Sequence, residues 1–179
     1  QPDRWDDRYK ILAGTKAQKI RFRTPYHDLS PPEETFADFA DIVACATGEQ
    51  IRIEFYTRIK DGVSLLCLKI FHFNGQLALS RRVPLLENLG FSVISEGTFD
   101  INVTLADGSE KLVVLHDMEL EDQSGAEINL QQHGAALEEA FLFAFSGVID
   151  NDNFNRLIIS AGLSARETSV LRAYSRYLR

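Results

Sequence analysis

Residues 91–120 read FSVISEGTFDINVTLADGSEKLVVLHDMEL. In the first half, Phe91, Val93, Phe99, Ile101, Val103 and Leu105 fall on one face of an extended chain, because successive strand side chains point to opposite sides. Gly97 breaks the run, as at a bulge or bend. Ala106-Asp107-Gly108-Ser109 has hairpin-turn chemistry. Lys111 to Glu121 then returns with Leu112, Val114, His116, Met118 and Leu120 on one face. Two long strands joined by a tight turn place an antiparallel sheet at the centre of the fold.

Upstream, Ser80 is positioned to cap a helix running to about Leu89, closed by Gly90, with Leu79, Val83 and Leu86 as its buried stripe and Pro84 near the first turn. Before it, Val63 to Phe73 is a nearly continuous apolar run, the pattern of a strand covered on both faces. Ile51 to Arg58 alternates like a half-buried strand, and Lys60-Asp61-Gly62 turns between the two. Ser30, Pro31 and Pro32 open a helix with Glu33 and Glu34 in its first turn and Phe36, Phe39, Ala40 and Val43 on its apolar face; Gly48 ends it. Residues 1–30 are polar and weakly patterned. Trp5, Tyr9 and Leu12 have the spacing of a short helix, and Arg21 to Leu29 reads as loop.

Downstream, a helix covers Leu130 to Ser146, with Leu137, Phe141, Ala144 and Phe145 as its stripe and Gly147 at its end. A short helix from about Phe154 to Ala161 stops at Gly162, and Ser164 with Glu167 forms a capping box for the last helix. Strand, helix, strand, strand, helix over 63–146 is most of a ferredoxin-like unit. The expected class is therefore α+β, with a four-stranded antiparallel sheet, helices on one face and Ile51–Arg58 as the edge strand beside Val63–Phe73. The expected organisation is a poorly patterned segment 1–30, an α+β domain 31–147 and a helical connector 148–179.

Composition excludes several classes. The chain has 179 residues, 45% hydrophobic and 25% charged, an ordinary globular balance. A net charge of −7 without a basic stripe argues against nucleic acid. No apolar run has membrane-spanning length, and the first residues are too polar for a signal peptide. A cytoplasmic protein with Cys45 and Cys67 as reduced, buried thiols is expected. The chain starts at Gln1 without methionine and stops at Arg179 within a helical pattern, so both ends read as cuts.

Chemistry is sparse. No G-x-G-x-x-G occurs, so no dinucleotide fingerprint is present. His72, His116 and Asp117 suggest a metal or acid–base cluster, but His116 and Asp117, adjacent in a strand, point to opposite faces. Hydrogen-bonded structural histidines are the plainer reading. Asp150-Asn151-Asp152-Asn153 is similar to a calcium-loop fragment but lacks its glycine and terminal glutamate, so capping of the next helix is preferred. Arg156, Arg166 and Arg172 are read as solvated or ion-paired surface.

Two blocks carry a family resemblance. The first is Leu79-Ser80, Pro84-Leu85-Leu86-Glu87-Asn88-Leu89-Gly90-Phe91 and Val93-Ile94, with His116-Asp117 at the end of a later strand. The second is Ser146-Gly147, Asp150-Asn151-Asp152, Phe154-Asn155-Arg156-Leu157, Ala161-Gly162-Leu163, Arg166-Glu167, Leu171-Arg172-Ala173-Tyr174 and Tyr177-Leu178. Together they resemble the region before the catalytic domain of large bacterial NAD-dependent glutamate dehydrogenases. Ala165, where a tryptophan is expected, and the polar run Ser95-Glu96-Gly97 depart from that pattern.

The resemblance implies an ACT-like module and helical connector without catalytic, cofactor-binding or metal residues of its own, NAD being the parent enzyme's cofactor. It implies other domains of the parent chain as partners, a homo-oligomeric parent, and an amino-acid effector held at the loop Phe73-Asn74-Gly75-Gln76. There Gly75 would let backbone approach a carboxylate. The competing reading is a purely structural interdomain or oligomerisation module.

Overall fold

The computed structural model describes residues 17–22, 32–125 and 127–178, with side chains described from Lys19 in the first segment and from Asp38 in the second. Its elements are β1 (Ala17–Phe22), α1 (Pro32–Ala46), β2 (Ile51–Lys60), β3 (Val63–Phe73), α2 (Leu79–Leu89), β4 (Phe91–Leu105), β5 (Glu110–Asp122), α3 (Leu130–Ser146), a 3-10 turn (Asn153–Arg156), α4 (Leu157–Ser160) and α5 (Ala165–Tyr177). The class is α+β. The sheet is antiparallel and five-stranded, in the order β1-β4-β5-β3-β2.

Five strands replace the four expected. The additional one is β1, in the stretch assigned to weak pattern and loop. It pairs antiparallel with β4, Ile20 opposite Val103 and Phe22 opposite Ile101. Ile20 and Phe22 pack on the core while Lys19 and Arg21 are exposed. The alternation was therefore present in the sequence, but over too few residues to stand out. The helix suggested by Trp5, Tyr9 and Leu12, and the cap at Ser30, lie outside the described residues. β2 takes the edge position beside β3.

Tight turns set the registers. Asp61 and Gly62 both have positive φ, 52° and 79°, which is the two-residue turn that matches strand twist. Between β4 and β5, the Ser109 N–H donates to Asp107 Oδ1 at 2.9 Å and the Leu105 N–H to the Ser109 carbonyl at 2.9 Å.

Two compact units are distinguishable, and strands β2 to β5 contribute residues to both. The first contains α1, β1, residues 69–76 and residues 97–117. Its core joins Phe39, Ile42, Cys45 and Ala46 of α1 to Phe71, Phe99, Ile101, Val103, Val113 and Leu115. Ala40, expected on the apolar face, is exposed, and Ile42 is buried instead. On β5 the expected inner face was that of Val114, His116 and Met118. These are buried, but Val113 and Leu115 on the other face meet α1, so both faces of β5 are covered.

The second unit contains residues 54–68, 77–96 and 118–178, with α2 packed on α3. Ala78 rather than Ser80 is the N-cap of α2, without a side-chain cap bond. The earlier start places Pro84 inside the helix, where it withholds one N–H from the ladder. The buried stripe is Arg82, Leu85, Leu86 and Leu89, not Leu79, which is 58% exposed. The shift follows from Arg82, which donates to the Leu77 carbonyl and to Glu96 and is thereby drawn inward. Asn129 caps α3 by accepting from the Gln131 and Gln132 N–H groups.

No helix among the described residues is long and apolar enough to cross a membrane.

Candidate functional site

The loop Phe73-Asn74-Gly75-Gln76 leaves β3 with two consecutive positive φ angles, 59° at Asn74 and 130° at Gly75. It is tied at its base. The Phe73 N–H donates to the Gln50 carbonyl at 3.0 Å and the Asn74 N–H to the Leu112 carbonyl at 2.9 Å. His72 Nδ1 lies 3.0 Å from the Gly75 carbonyl oxygen, which makes this histidine a brace for the turn. A Cβ at Gly75 would meet nothing within 4 Å, so the turn faces open space and its glycine answers to backbone conformation.

His116 is fully buried, and its Nδ1 lies 3.3 Å from Thr98 Oγ1. Each histidine thus has its own local partner, as the plainer reading held. Among the described residues no three His, Cys, Asp or Glu side chains gather as a metal set.

The run Asp150–Asn153 is organised by α5. Asp152 Oδ1 caps the 3-10 turn, accepting from the Phe154 N–H at 3.1 Å. The same carboxylate meets Arg172: Nε to Oδ2 at 2.7 Å and Nη2 to Oδ1 at 2.9 Å. Arg172 Nη2 also reaches Asn155 Oδ1 at 2.8 Å and the Asp150 carbonyl at 3.3 Å. Only 4% of Arg172 is exposed, which corrects its reading as surface. A planar fork aimed at one carboxylate and two neighbouring oxygens lets a guanidinium be buried there. The capping box of α5 forms as expected, with Ser164 N–H to Glu167 Oε2 at 2.8 Å and Glu167 N–H to Ser164 Oγ at 3.3 Å. The Ser164 backbone bond, then its hydroxyl, hold the Glu167 carboxyl below its ordinary pKa.

Beyond Arg172, α5 buries no side chain: Tyr174, Tyr177 and Leu178 are 63%, 87% and 80% exposed, and Val170 and Leu171 are exposed beside them. An apolar stripe at helical spacing is thus left exposed.

A concavity of about 630 Å³ opens in the second unit where the β5–α3 loop meets the end of α2 and the 3-10 turn. Gly90, Gln123, Glu127, His133, Arg156 and Ser160 are among its walls, with Leu89, Ile128 and Ile159 as its apolar part. Arg156 Nη2 donates to Gln123 Oε1 and to the Glu87 carbonyl. Gly90, at φ 102°, ends α2, and a Cβ there would come 3.6 Å from Arg156 Cγ. The sequence offered no signal for this hollow, because its walls come from three separate segments, 89–90, 122–133 and 156–160.

Both cysteines are buried thiols outside any disulfide. Cys45 Sγ donates to the Phe71 carbonyl at 3.5 Å, and burial pushes its thiol up to about 12.

Comparison with known proteins finds the same two blocks that the sequence singled out. A family model described as glutamate dehydrogenase, ACT3 domain, matches residues 50–133, and one described as glutamate dehydrogenase, helical motif 3, matches residues 149–179. The NAD-specific glutamate dehydrogenase of Halomonas elongata is 39% identical over 132 residues, covering 74% of this chain and 8% of that protein. That of Pseudomonas aeruginosa is 32% identical over 158 residues, 88% of this chain and 10% of that protein. The Mycobacterium tuberculosis protein of the same description is 26% identical over 162 residues. The chain therefore spans about a tenth of the length of the curated relatives it matches.

Proposed function

This chain belongs to the large NAD-specific glutamate dehydrogenase family, and we propose that it is a non-catalytic, regulatory and architectural segment of such an enzyme. The observation that carries the reading is the ordered pair of matches, an ACT-type domain followed by a helical motif, with neither a nucleotide-binding glycine motif nor a credible catalytic constellation in the residues themselves. The parent reaction is NAD-dependent oxidative deamination of L-glutamate to 2-oxoglutarate and ammonia, with NAD held elsewhere in the parent. The strand order β4-β5-β3-β2 supports a ferredoxin-like module to which β1 is added.

Within this reading, residues 73–76 are the amino-acid effector loop. The two positive φ angles and the His72 brace present a shaped turn to open space. The exposed stripe of Tyr174, Tyr177 and Leu178 docks against another domain of the same long polypeptide, since a mostly apolar helix end is stabilised by a covering surface. The parent is a cytoplasmic homo-oligomer.

Two measurements test the proposal. The pure chain, assayed with L-glutamate and NAD, should form no NADH; steady turnover would overturn its non-catalytic assignment. Calorimetric titration with a panel of amino acids should give saturable heat that the Gly75→Val variant abolishes. A flat response across the panel, with folded protein, would leave the purely structural module as the surviving account.

A further inference from the structure

We propose that the sheet surface beside the β5–α3 loop is a docking site, and that its occupant is a basic amphipathic helix from outside this chain. The surface includes neither residues 73–76 nor the exposed end of α5, so it stands apart from the roles given to those segments.

The argument starts from strand alternation. The two-residue turn at Asp61-Gly62 sets Thr57 opposite Leu66 and Ile59 opposite Ser64, so these four side chains share one face. Phe55 is on the same face and meets the Phe91 ring at 5.8 Å between centroids. Cover on that face is lost towards the turn. Phe55 and Leu68 are buried, Leu66 is half-buried, and Thr57, Ile59 and Ser64 are exposed. Ile59 is 69% exposed, and Ile94 of β4 is 59% exposed. A hollow of about 500 Å³ has Ile94 among its walls, with Thr57, Leu66, Leu120 of β5 and Ile128 of the β5–α3 loop. An apolar sheet surface of this kind is stabilised by a second layer laid over it.

Charge selects the kind of layer. Four carboxylates line the same hollow, Glu119, Glu121, Asp122 and Glu127, and none of the described residues lining it is basic. Glu119 is met by Lys60 at 3.3 Å and by the Ser95 hydroxyl at 2.9 Å, and Asp122 Oδ1 accepts from the Ser124 N–H. Glu121 and Glu127 form no ion pair among the described residues. An acidic partner would add to this charge. Lysine or arginine side chains suit it, because their stems cover apolar surface while their heads reach carboxylates.

Backbone geometry favours a helix over a strand. A strand adds at a sheet edge, and β2 is the edge here. The hairpin turns the N–H groups of Phe55, Thr57 and Ile59 away from β3. The Phe55 N–H already donates to Glu138 Oε1 of α3 at 3.3 Å, so an added strand would have to displace that carboxylate. A helix lies on the face instead and leaves the Glu138 contact intact.

The test is a nitrogen-15 correlation titration of the 179-residue chain with a designed leucine/lysine amphipathic helix of about four turns. Saturable shifts are expected at the amides of Thr57, Ser64, Leu66, Leu120 and Ile128. The leucine/glutamate counterpart, and a strand-forming peptide of alternating leucine and lysine, should each bind about tenfold more weakly or worse. Ile94→Ser should weaken the helix by about tenfold, since it removes an apolar contact. Glu127→Lys should weaken it by about fivefold, whereas Glu110→Lys, the same charge change outside the hollow, should change it by less than about twofold. The spectrum of each free variant reports whether it is folded; if Ile94→Ser is not, Ile59→Ser replaces it with the same expected loss. The proposal is overturned if the leucine/glutamate or the strand-forming peptide binds as tightly, or if Glu110→Lys matches Glu127→Lys, which would mean attraction by net charge alone. Well-folded Ile94→Ser or Ile59→Ser binding undiminished would overturn it as well. A dilution series of the chain alone that moves the same amides would also overturn it, and would make a second copy the occupant.

Discussion

Lys69 of β3 and Asp38 of α1 form an ion pair sealed from solvent, Nζ 2.8 Å from Oδ1 with the two side chains 2% and 0% exposed. Lys69 interrupts a nearly continuous apolar run, and its buried charge is met by the carboxylate that α1 brings to it. Removing one partner leaves an uncompensated buried charge, which costs roughly 3–5 kcal/mol. Asp38→Asn is therefore expected to lower denaturant-unfolding stability by that order. The double variant Asp38→Leu/Lys69→Met should recover most of it, because a well-packed apolar pair needs no desolvation of charge. A double variant no better than Asp38→Asn would show that the remaining contacts of the pair matter more.

Gly97 is constrained by a ring. A Cβ there would lie 2.9 Å from Phe99 Cε2, and Phe99 is only 6% exposed. Gly97→Ala should cost about 1–3 kcal/mol, the usual scale of overpacking. Phe99→Leu in the same chain should remove the clash, so the double variant's loss in unfolding free energy should be smaller than the sum of the singles.

The Arg172 fork predicts a sharp difference between two arginines on one helix. Arg172→Lys keeps the charge but cannot reach Asp152, Asn155 and the Asp150 carbonyl together. A loss of about 2–4 kcal/mol is expected for breaking a buried charged network. Arg176 meets Asp150 at 2.9 Å with its side chain 68% exposed, and Arg176→Lys should change stability by less than about 0.5 kcal/mol. Limited proteolysis of residues 149–178 should follow the same order.

Acid should destabilise through two carboxylates. The Ser95 hydroxyl, then Lys60, hold Glu119 below its ordinary value, and the Ser164 backbone does so for Glu167. A depressed carboxyl binds its proton less tightly when folded, so the stability it contributes is present above the ordinary value of about 4.5 and is lost as pH falls through the lower folded value. The melting temperature should fall over that window, and Ser95→Ala should flatten the fall.

Cys45 acts in the other direction. Burial keeps its thiol protonated up to about 12, whereas an unfolded thiol ionises near 9.0. Its contribution is complete below that value and lost as pH rises towards the folded one. At neutral pH iodoacetamide should label Cys45 only as fast as the chain unfolds, read by peptide mass mapping.

Local rules made much of this legible. Asp61-Gly62 and Asp107-Gly108 announced the two hairpins, Gly147 and Gly162 their helix ends, and Ser164 with Glu167 the start of α5, because each depends on a few neighbouring residues. The loop 73–76 was legible as a turn, and Asn74 and Gly75 both take positive φ there. The cavity around Arg156 was not legible, because Gly90, Gln123 and Arg156 meet only after α2, β5 and the 3-10 turn have packed.

The sequence by itself determined the alternating strands, the helix count from α1 to α3, and the family, whose two motif blocks are written in local order. Tertiary structure decided the rest. It drew Ala17–Phe22 into the sheet as β1, since six residues gain a strand's hydrogen bonds only when β4 offers its free edge. It rotated α2 so that Arg82 faces inward, since a guanidinium can be buried only beside the Leu77 carbonyl and Glu96. It buried Arg172 and sealed Lys69 with Asp38 for the same reason. Whether a charged side chain is surface or core depends on the partner that meets it, and that partner lies many residues away in the chain.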